Sequence, residues 1–296
     1  MELRVLNYFL VVAREENFTR AAEKLHLSQP TLSRQLHDLE EEYGKQLLIR
    51  EPRHVSLTKD GMLLRKRAEE ILSLVAKTES ELLSKENNIS GDIRIGAGES
   101  KNFRLIMQAA AELKQNYPAV NFHIITGDGP SNLYLLERGL IDFAYDYGKH
   151  DPRKYQELTL PVRDHWGIIV RKDDKLATRA SICANDLWQT PLLLSRQVLT
   201  DTTHGSALLK WLQKPLDELH IAGSYNLLFN ASLMVEAGIG CALAFEEIIN
   251  TTNSKLCFRP LEPTVYATPN IFWKRNKFFS QAAYKFLTLL MEKFHN

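Results

Sequence analysis

Cysteine is scarce in this 296-residue chain. Cys183, Cys241 and Cys257 are odd in number and widely separated, with no CxxC pair and no Cys/His cluster at zinc spacing. That excludes a disulfide framework and reads as free, buried thiols in a reducing compartment. Long hydrophobic runs are missing as well. Nothing approaches the roughly 18 consecutive apolar residues a spanning helix needs. The start, Met1-Glu2-Leu3-Arg4, has no apolar core ahead of a small-residue cleavage site, so a secretory signal is not expected and a cytoplasmic location is. Charge of one sign is missing: the net is +1, and residues 1–60 hold nine Lys/Arg against ten Asp/Glu. The charge total therefore does not announce a nucleic-acid binder, and any such case rests on where basic side chains point. Catalytic signatures are missing too. Gly96-Ala97-Gly98 follows a strand pattern, but Lys101 stands where a dinucleotide fingerprint has its third glycine. There is no GxSxG, P-loop or HExxH, and the nine histidines lack metal spacing. Neither an enzyme, nor a cofactor, nor a metal is expected.

What remains is an ordinary globular composition, 44% apolar and 25% charged, in a chain long enough for two or three units. Leu3, Leu6, Leu10 and Ala13 fall on one face of a first helix over 3–13. Asn17 can cap a second, Phe18 to about Leu25, burying Ala21, Ala22 and Leu25. After the turn His26-Leu27-Ser28, a third helix starts at Ser28 or Gln29 with Pro30 in its first turn. Its buried stripe is Leu32, Leu36, Leu39 and Tyr43, and Gly44 ends it. Residues 45–50 and 54–57 form a hairpin turning at Glu51-Pro52-Arg53, in the position of a wing. Thr58 can cap a long helix to about Lys85. In it Leu64, Ala68, Ile71, Val75, Thr78 and Leu82 are spaced alternately by four and three residues, a seam for a partner helix or for the helix's own domain. Asn87, Asn88, Ser90 and Gly91 mark a boundary. Beyond it strands (near 92–96, 120–126, 141–146, 165–171, 191–195, 219–225, 240–244, 265–274) alternate with helices (near 101–116, 131–138, 203–213, 228–237, 278–294). Such alternation implies a mainly parallel sheet covered on both faces, so the chain is α/β and multidomain.

Two short helices joined by a tight turn can place the second in a DNA major groove. With Leu32, Leu36 and Leu39 inward, Ser33, Arg34 and His37 point out, and Gln29 and Thr31 sit at the end that reaches deepest. Arg bridges guanine O6 and N7, Gln pairs with adenine, and Thr meets a thymine methyl. Arg50 and Arg53 flank the wing tip and can hold phosphates or enter the minor groove. Glu40-Glu41-Glu42 reads as a solvated helix end off the DNA. The bland alternative is a helical bundle with scattered surface charge.

The stretch Phe18-Thr19-Arg20-Ala21-Ala22-Glu23-Lys24-Leu25-His26-Leu27-Ser28-Gln29-Pro30-Thr31-Leu32-Ser33-Arg34-Gln35-Leu36 closely resembles the helix-turn-helix of LysR-type transcriptional regulators. The wing, Leu47-Leu48-Ile49-Arg50 then Val55-Ser56-Leu57-Thr58-Lys59-Asp60-Gly61, is similar to that family's pattern, with Ile49 where Phe is more frequent. The resemblance implies a winged helix-turn-helix (1–58), a linker and dimerisation helix (59–90) and an effector domain (91–296) like periplasmic solute-binding proteins. In that domain 91–161 plus 265–296 would form one subdomain and 162–264 the other. It implies DNA contact through Thr19, Arg20, Ser28, Gln29, Pro30, Thr31, Ser33, Arg34, His37, Arg50 and Arg53 on a dyad-symmetric duplex. It also implies dimers, commonly assembled into tetramers, and leaves contact with RNA polymerase open. A solute-binding module whose helix-turn-helix serves only dimerisation is the rival reading.

In the effector domain the resemblance places a small molecule in the cleft between subdomains, near strand ends and helix N-termini, where free N–H groups suit an anion. Loops at such places offer Ser100, Lys101, Asn102, Asp128, Gly129, Asp146, Tyr147, Arg196, Gln197 and Asn226. Ser100 is the first choice, with Lys101 or Arg196 pairing a carboxylate. Each also has a local reading: Ser100 a helix cap, Asp128 a turn residue, Arg196 a solvated loop charge. Glu99, Asp128 and Asp146 make a cationic or neutral polar ligand equally admissible.

Overall fold

The computed structural model describes every residue except 52–53, 84–88, 201–205 and 295–296. The chain divides into two compact units, Met1–Leu83 and Ser84–Asn296.

The first unit runs α1 (Leu3–Glu15), α2 (Phe18–Lys24), α3 (Gln29–Tyr43), β1 (Leu48–Glu51), β2 (His54–Leu57) and α4 (Lys59–Leu83). Its core joins Val5, Phe9 and Val12 of α1, Ala21 and Ala22 of α2, and Leu32, Leu36 and Leu39 of α3 to Leu47, Leu48 and Val55. The expected α1 stripe is rotated: Leu3 is exposed, and the inward residues are Val5, Leu6, Phe9 and Val12. Tyr43 is also exposed, because α3 passes beyond the core in its last turn. Asn17 caps α2 by accepting from the Arg20 N–H at 3.0 Å, and Ser28 caps α3 by accepting from the Thr31 N–H at 3.3 Å. Gly44 ends α3 in the left-handed region at φ 58°.

The antiparallel hairpin β1–β2 is fastened at both ends. The Val55 N–H donates to the Glu16 carbonyl at 2.8 Å. Thr58 bridges from the hairpin into α4: its hydroxyl donates to the Gln46 carbonyl at 2.7 Å and accepts from the Gly61 N–H at 3.0 Å. Gly61 passes so near the hairpin that a Cβ there would lie 2.1 Å from the Leu47 carbonyl oxygen. Helix α4 then packs along α1, with Ala68 fully buried and Leu64 against the core. The start of the expected seam is thus spent inside its own unit. Ile71 and Val75 are half-buried, Thr78 is exposed, and the Leu82 side chain lies outside the described residues.

The second unit holds two sheets built from β3 (Gly91–Ala97), α5 (Arg104–Asn116), β4 (Val120–Thr126), α6 (Gly129–Glu137), β5 (Phe143–Asp146), β6 (Tyr155–Thr159), β7 (Asp164–Arg171), α7 (Ala184–Leu187), β8 (Leu192–Ser195), α8 (Arg196–Thr200), α9 (Ser206–Leu212), β9 (Ile221–Tyr225), α10 (Leu228–Glu236), β10 (Cys241–Phe245), β11 (Leu256–Pro260), β12 (Tyr266–Ala267), β13 (Asn270–Lys274) and α11 (Gln281–Phe294). One sheet has the order β4-β3-β5-β13-β6. The other has β11-β7-β10-β8-β9, with β12 also on β7. Helices α5 and α11 cover one face of the first sheet, and α6 the opposite one. Helices α7, α8 and α9 cover one face of the second, and α10 its other face.

Both sheets are mixed, which corrects the mainly parallel expectation. β3 runs parallel to β4 and β5, and β8 parallel to β9 and β10; the pairings of β13 with β5 and β6, and of β7 with β10, β11 and β12, are antiparallel. The short strands β6 and β11 escaped the sequence pattern, and they supply much of the antiparallel share. The chain crosses to the second sheet between Thr159 and Asp164 and returns between Ala267 and Asn270, so 265–267 pairs with the second sheet rather than the first.

Candidate functional site

Two places in the structure offer chemistry. The first is the outer face of α3. Burying Leu32, Leu36 and Leu39 leaves Gln29, Pro30, Thr31, Arg34 and His37 exposed and Ser33 half-buried. Thr19, Arg20 and Ser28 are exposed beside them. Among the described residues no hydrogen bond or ion pair holds Gln29 or Arg34, so both retain their full hydrogen-bonding capacity. Thr31 shares a 2.7 Å hydrogen bond with Ser28, Arg20 donates to the Glu15 carbonyl, and His37 lies 3.3 Å from Glu41.

Arg50 is not the free wing-tip cation the sequence suggests. Its guanidinium donates to Glu40 at 2.9 Å and Ser33 at 3.2 Å, and lies over the Phe18 ring. Glu40 in turn is no solvated helix end. One carboxylate oxygen accepts from the Leu47 and Leu48 N–H groups at 2.8 and 2.9 Å, while the other takes Arg50. Glu40 thus ties the recognition-type helix to the hairpin, and Arg50 completes the tie. Glu41 and Glu42 stay exposed, Glu42 on the N-terminal amine. Arg53 lies outside the described residues.

The second place is a cleft between the two sheets of the 84–296 unit, enclosing about 80 Å³. It opens at the carboxyl ends of parallel strands, where Gly98 and Glu99 follow β3, Gly127 to Gly129 follow β4, Gln197 follows β8 and Asn226 follows β9. Asp146, Tyr147, Trp166, Val198, Leu228, Ala244 and Phe245 are also in its walls. Of the expected effector contacts, Asp128, Gly129, Asp146, Tyr147, Gln197 and Asn226 line it. Ser100, Lys101, Asn102 and Arg196 do not; each is engaged between the lobes instead.

Ser100 Oγ donates to Asp164 at 3.0 Å, accepts from the Asn102 N–H at 2.9 Å, and shares a 3.0 Å hydrogen bond with the Tyr145 hydroxyl. Its hydroxyl is thus fully engaged within the protein. Asn102 is buried and donates to the Arg163 carbonyl at 3.1 Å. Lys101 bridges Glu246 at 2.7 Å and Glu247 at 3.1 Å. Burial alone would lower the Lys101 ammonium's pKa, but these two carboxylates outweigh it and raise it. Arg196 pairs with Asp128, which also caps α6 through Ser131. Burial pushes the Asp128 carboxyl up, yet the Ser131 and Arg196 hydrogen bonds hold it below the usual range.

Behind the cleft the Tyr147 hydroxyl donates to fully buried Asp164 at 2.8 Å. Burial raises the pKa of both Tyr145 and Tyr147, so each phenol stays a donor at neutral pH. Sequence reasoning missed the aromatic walls. Trp166, Tyr225 and Phe245 sit within strands, where alternation marks them only as core. Glu99 was visible beside Ser100 but had no signal for the contact it makes: its carboxylate accepts from the Leu228 N–H, capping α10 from the opposite lobe. No helix among the described residues is long and apolar enough to cross a membrane, and no group of three or more His, Cys, Asp and Glu among them could hold a metal.

Residues 3–62 match the family model described as bacterial regulatory helix-turn-helix protein, lysR family, and residues 86–295 match the LysR substrate binding domain. The chain belongs to the LysR family. It is a DNA-binding transcriptional regulator with a substrate-binding domain, in a family of regulators rather than enzymes. This LysR-family chain is 27% identical to the HTH-type transcriptional regulator BsdA of Bacillus subtilis (strain 168) over 98% of its own length and 100% of that protein. It is 33% identical to CysL of the same organism over 62% of its length and 61% of that protein. Among solved structures, its fold is similar to that of CbnR, a LysR family transcriptional regulator, at TM-score 0.78 and 19% identity over all of both chains. CbnR complexed with its target DNA gives 0.76 at 18% identity over 99% of each chain.

Proposed function

We propose that this LysR-family regulator reads a dyad-symmetric DNA site as a dimer, through α3, and that a small organic molecule in the cleft between its two sheets controls the outcome. The observation that carries the DNA half is the solvent-facing row Gln29, Thr31 and Arg34 on a helix anchored from behind by three leucines. These side chains match base edges in a major groove, and the exposed start of α3 suits a phosphate. Arg50 and Glu40 position this face, and Arg20 braces α2 against α1. Dimerisation would use α4, whose described side chains leave Met62, Leu63 and Leu74 exposed. Pairing of dimers and contact with RNA polymerase would follow on the promoter, in the cytoplasm.

Effector closure of the cleft would act by population shift, which requires unequal affinity for two arrangements of the lobes. The contacts able to change are those already spanning them: Glu99 on Leu228, Arg196 on Asp128, and Lys101 on Glu246. The test is fluorescence anisotropy on the chain's own upstream region and a scrambled duplex, across a salt series. Wild type should prefer the upstream region, and Arg34→Ala should lose about 1–3 kcal/mol of that preference without unfolding. Equal affinity of both proteins for both duplexes would refute the assignment of α3.

A further inference from the structure

The walls of the cleft carry one sign of charge, and we propose that its occupant is a compact organic cation, an alkylammonium of few heavy atoms. This rests on the reading of the cleft as the effector site and sharpens it.

Three carboxylates, Glu99, Asp128 and Asp146, line the cavity, and among the described residues no Lys, Arg or His does. Arg196 offsets Asp128 from outside the lining. Lys101 is spent on Glu246 and Glu247. Asp146 accepts from the Gly148 N–H and is bonded to the His150 ring, both at 2.9 Å. A fourth carboxyl, that of Asp164, lies just behind and accepts from the Tyr147 hydroxyl. Its Oδ1 has no hydrogen-bond partner among the described residues.

Two donors that could hold an anion are already taken. Helix N-termini attract negative groups through their free N–H groups. Here Glu99 occupies the Leu228 N–H at the start of α10, and Asp128 the Ser131 N–H at the start of α6. An anionic ligand would have to displace a carboxylate at each and would meet Asp146 besides. A cation finds acceptors in place.

The apolar part of the wall points the same way. The Phe245 ring lies 4.2 Å from Trp166 and 4.5 Å from Tyr147, centroid to centroid, and all three rings line the cavity. Aromatic faces attract cations through their quadrupole. The hydrogen bond from the Tyr147 hydroxyl to Asp164 makes that ring richer in electrons still. Size limits the choice: about 80 Å³ is smaller than the roughly 150 Å³ apolar cavity that accepts benzene.

The experiment titrates the full chain with propylammonium, propionate and propionamide at matched ionic strength. It follows thermal stability and tryptophan fluorescence in wild type, Glu99→Gln and Ala244→Phe. Gln at 99 keeps the acceptor for the Leu228 N–H and removes the charge. Phe at 244 fills the cavity, with Val198→Phe as the substitute if that variant does not fold. Propylammonium alone should raise the melting temperature and change the fluorescence. Its affinity should fall about tenfold or more in Glu99→Gln, and the response should vanish in the filled variant. Preference for propionate or propionamide, lost on filling, would overturn the cation and keep the cleft as effector site. No response to any probe, or an unchanged affinity in Glu99→Gln, would also overturn the cation. An ammonium response that survives filling would instead overturn the cleft reading itself.

Discussion

Glu40 shows how one side chain can fix the seating of α3 against the hairpin. It satisfies two backbone N–H groups of the hairpin and one guanidinium, and is itself nearly buried. Glu40→Ala should therefore destabilise the 1–83 unit by about 1–3 kcal/mol, since the Leu47 and Leu48 donors would lose their acceptor. Thermal denaturation would measure this, and a melting temperature equal to wild type would contradict the tie. The cysteines differ among themselves for a related reason. Cys183 is exposed, whereas burial pushes the Cys241 thiol up to about 12 and Cys257 is also buried. A maleimide at neutral pH should label Cys183 rapidly and the other two only on unfolding, because the thiolate is the reactive form. Rapid labelling of two or three thiols would show that the core opens easily.

At the level of elements, α4 answers to two demands. Its first turns close the DNA-binding unit: Thr58 caps it, Gly61 clears the hairpin and Ala68 is fully buried beside α1. Gly61→Ala should impair folding of this unit, as the new methyl would meet the Leu47 carbonyl rather than a movable side chain. Loss of thermal stability with a normal 84–296 unit would be the expected result. Farther along, Ile71, Leu74 and Val75 are incompletely covered within their own unit. Val75→Asp should convert dimers to monomers in light scattering, and dimers that persist would place the interface elsewhere.

For the whole molecule, several charged and polar pairs span the two sheets, and their stability depends on pH. The folded Asp128 carboxyl lies below its ordinary value, so it contributes stability above the unfolded-state pKa and loses it as pH falls through the folded one. Acidification from about pH 5 downward should loosen the Arg196 contact. Asp128→Asn should flatten that acid limb in melting temperature against pH. A limb unchanged by the substitution would show that other carboxylates set it.

Much of this was legible in one dimension. The 3.6-residue spacing of Leu32, Leu36 and Leu39 determined which side of α3 faces outward, since a helix that buries one stripe must expose the opposite one. Asn17, Ser28, Gly44 and Thr58 marked element ends through local chemistry. The resemblance to the family, laid over the alternating strands and helices, pointed to loops at strand ends, and Asp128, Gly129, Asp146, Tyr147, Gln197 and Asn226 among them line the cleft. Only tertiary structure decided which polar groups are spent and which are free. Arg50 is held by Glu40, Ser100 by Asp164 across 64 residues, and Lys101 by Glu246 across 145. Periodicity reports a residue's own face. It carries nothing about a partner brought near by the packing of distant strands, and those partners set the charge the cleft presents.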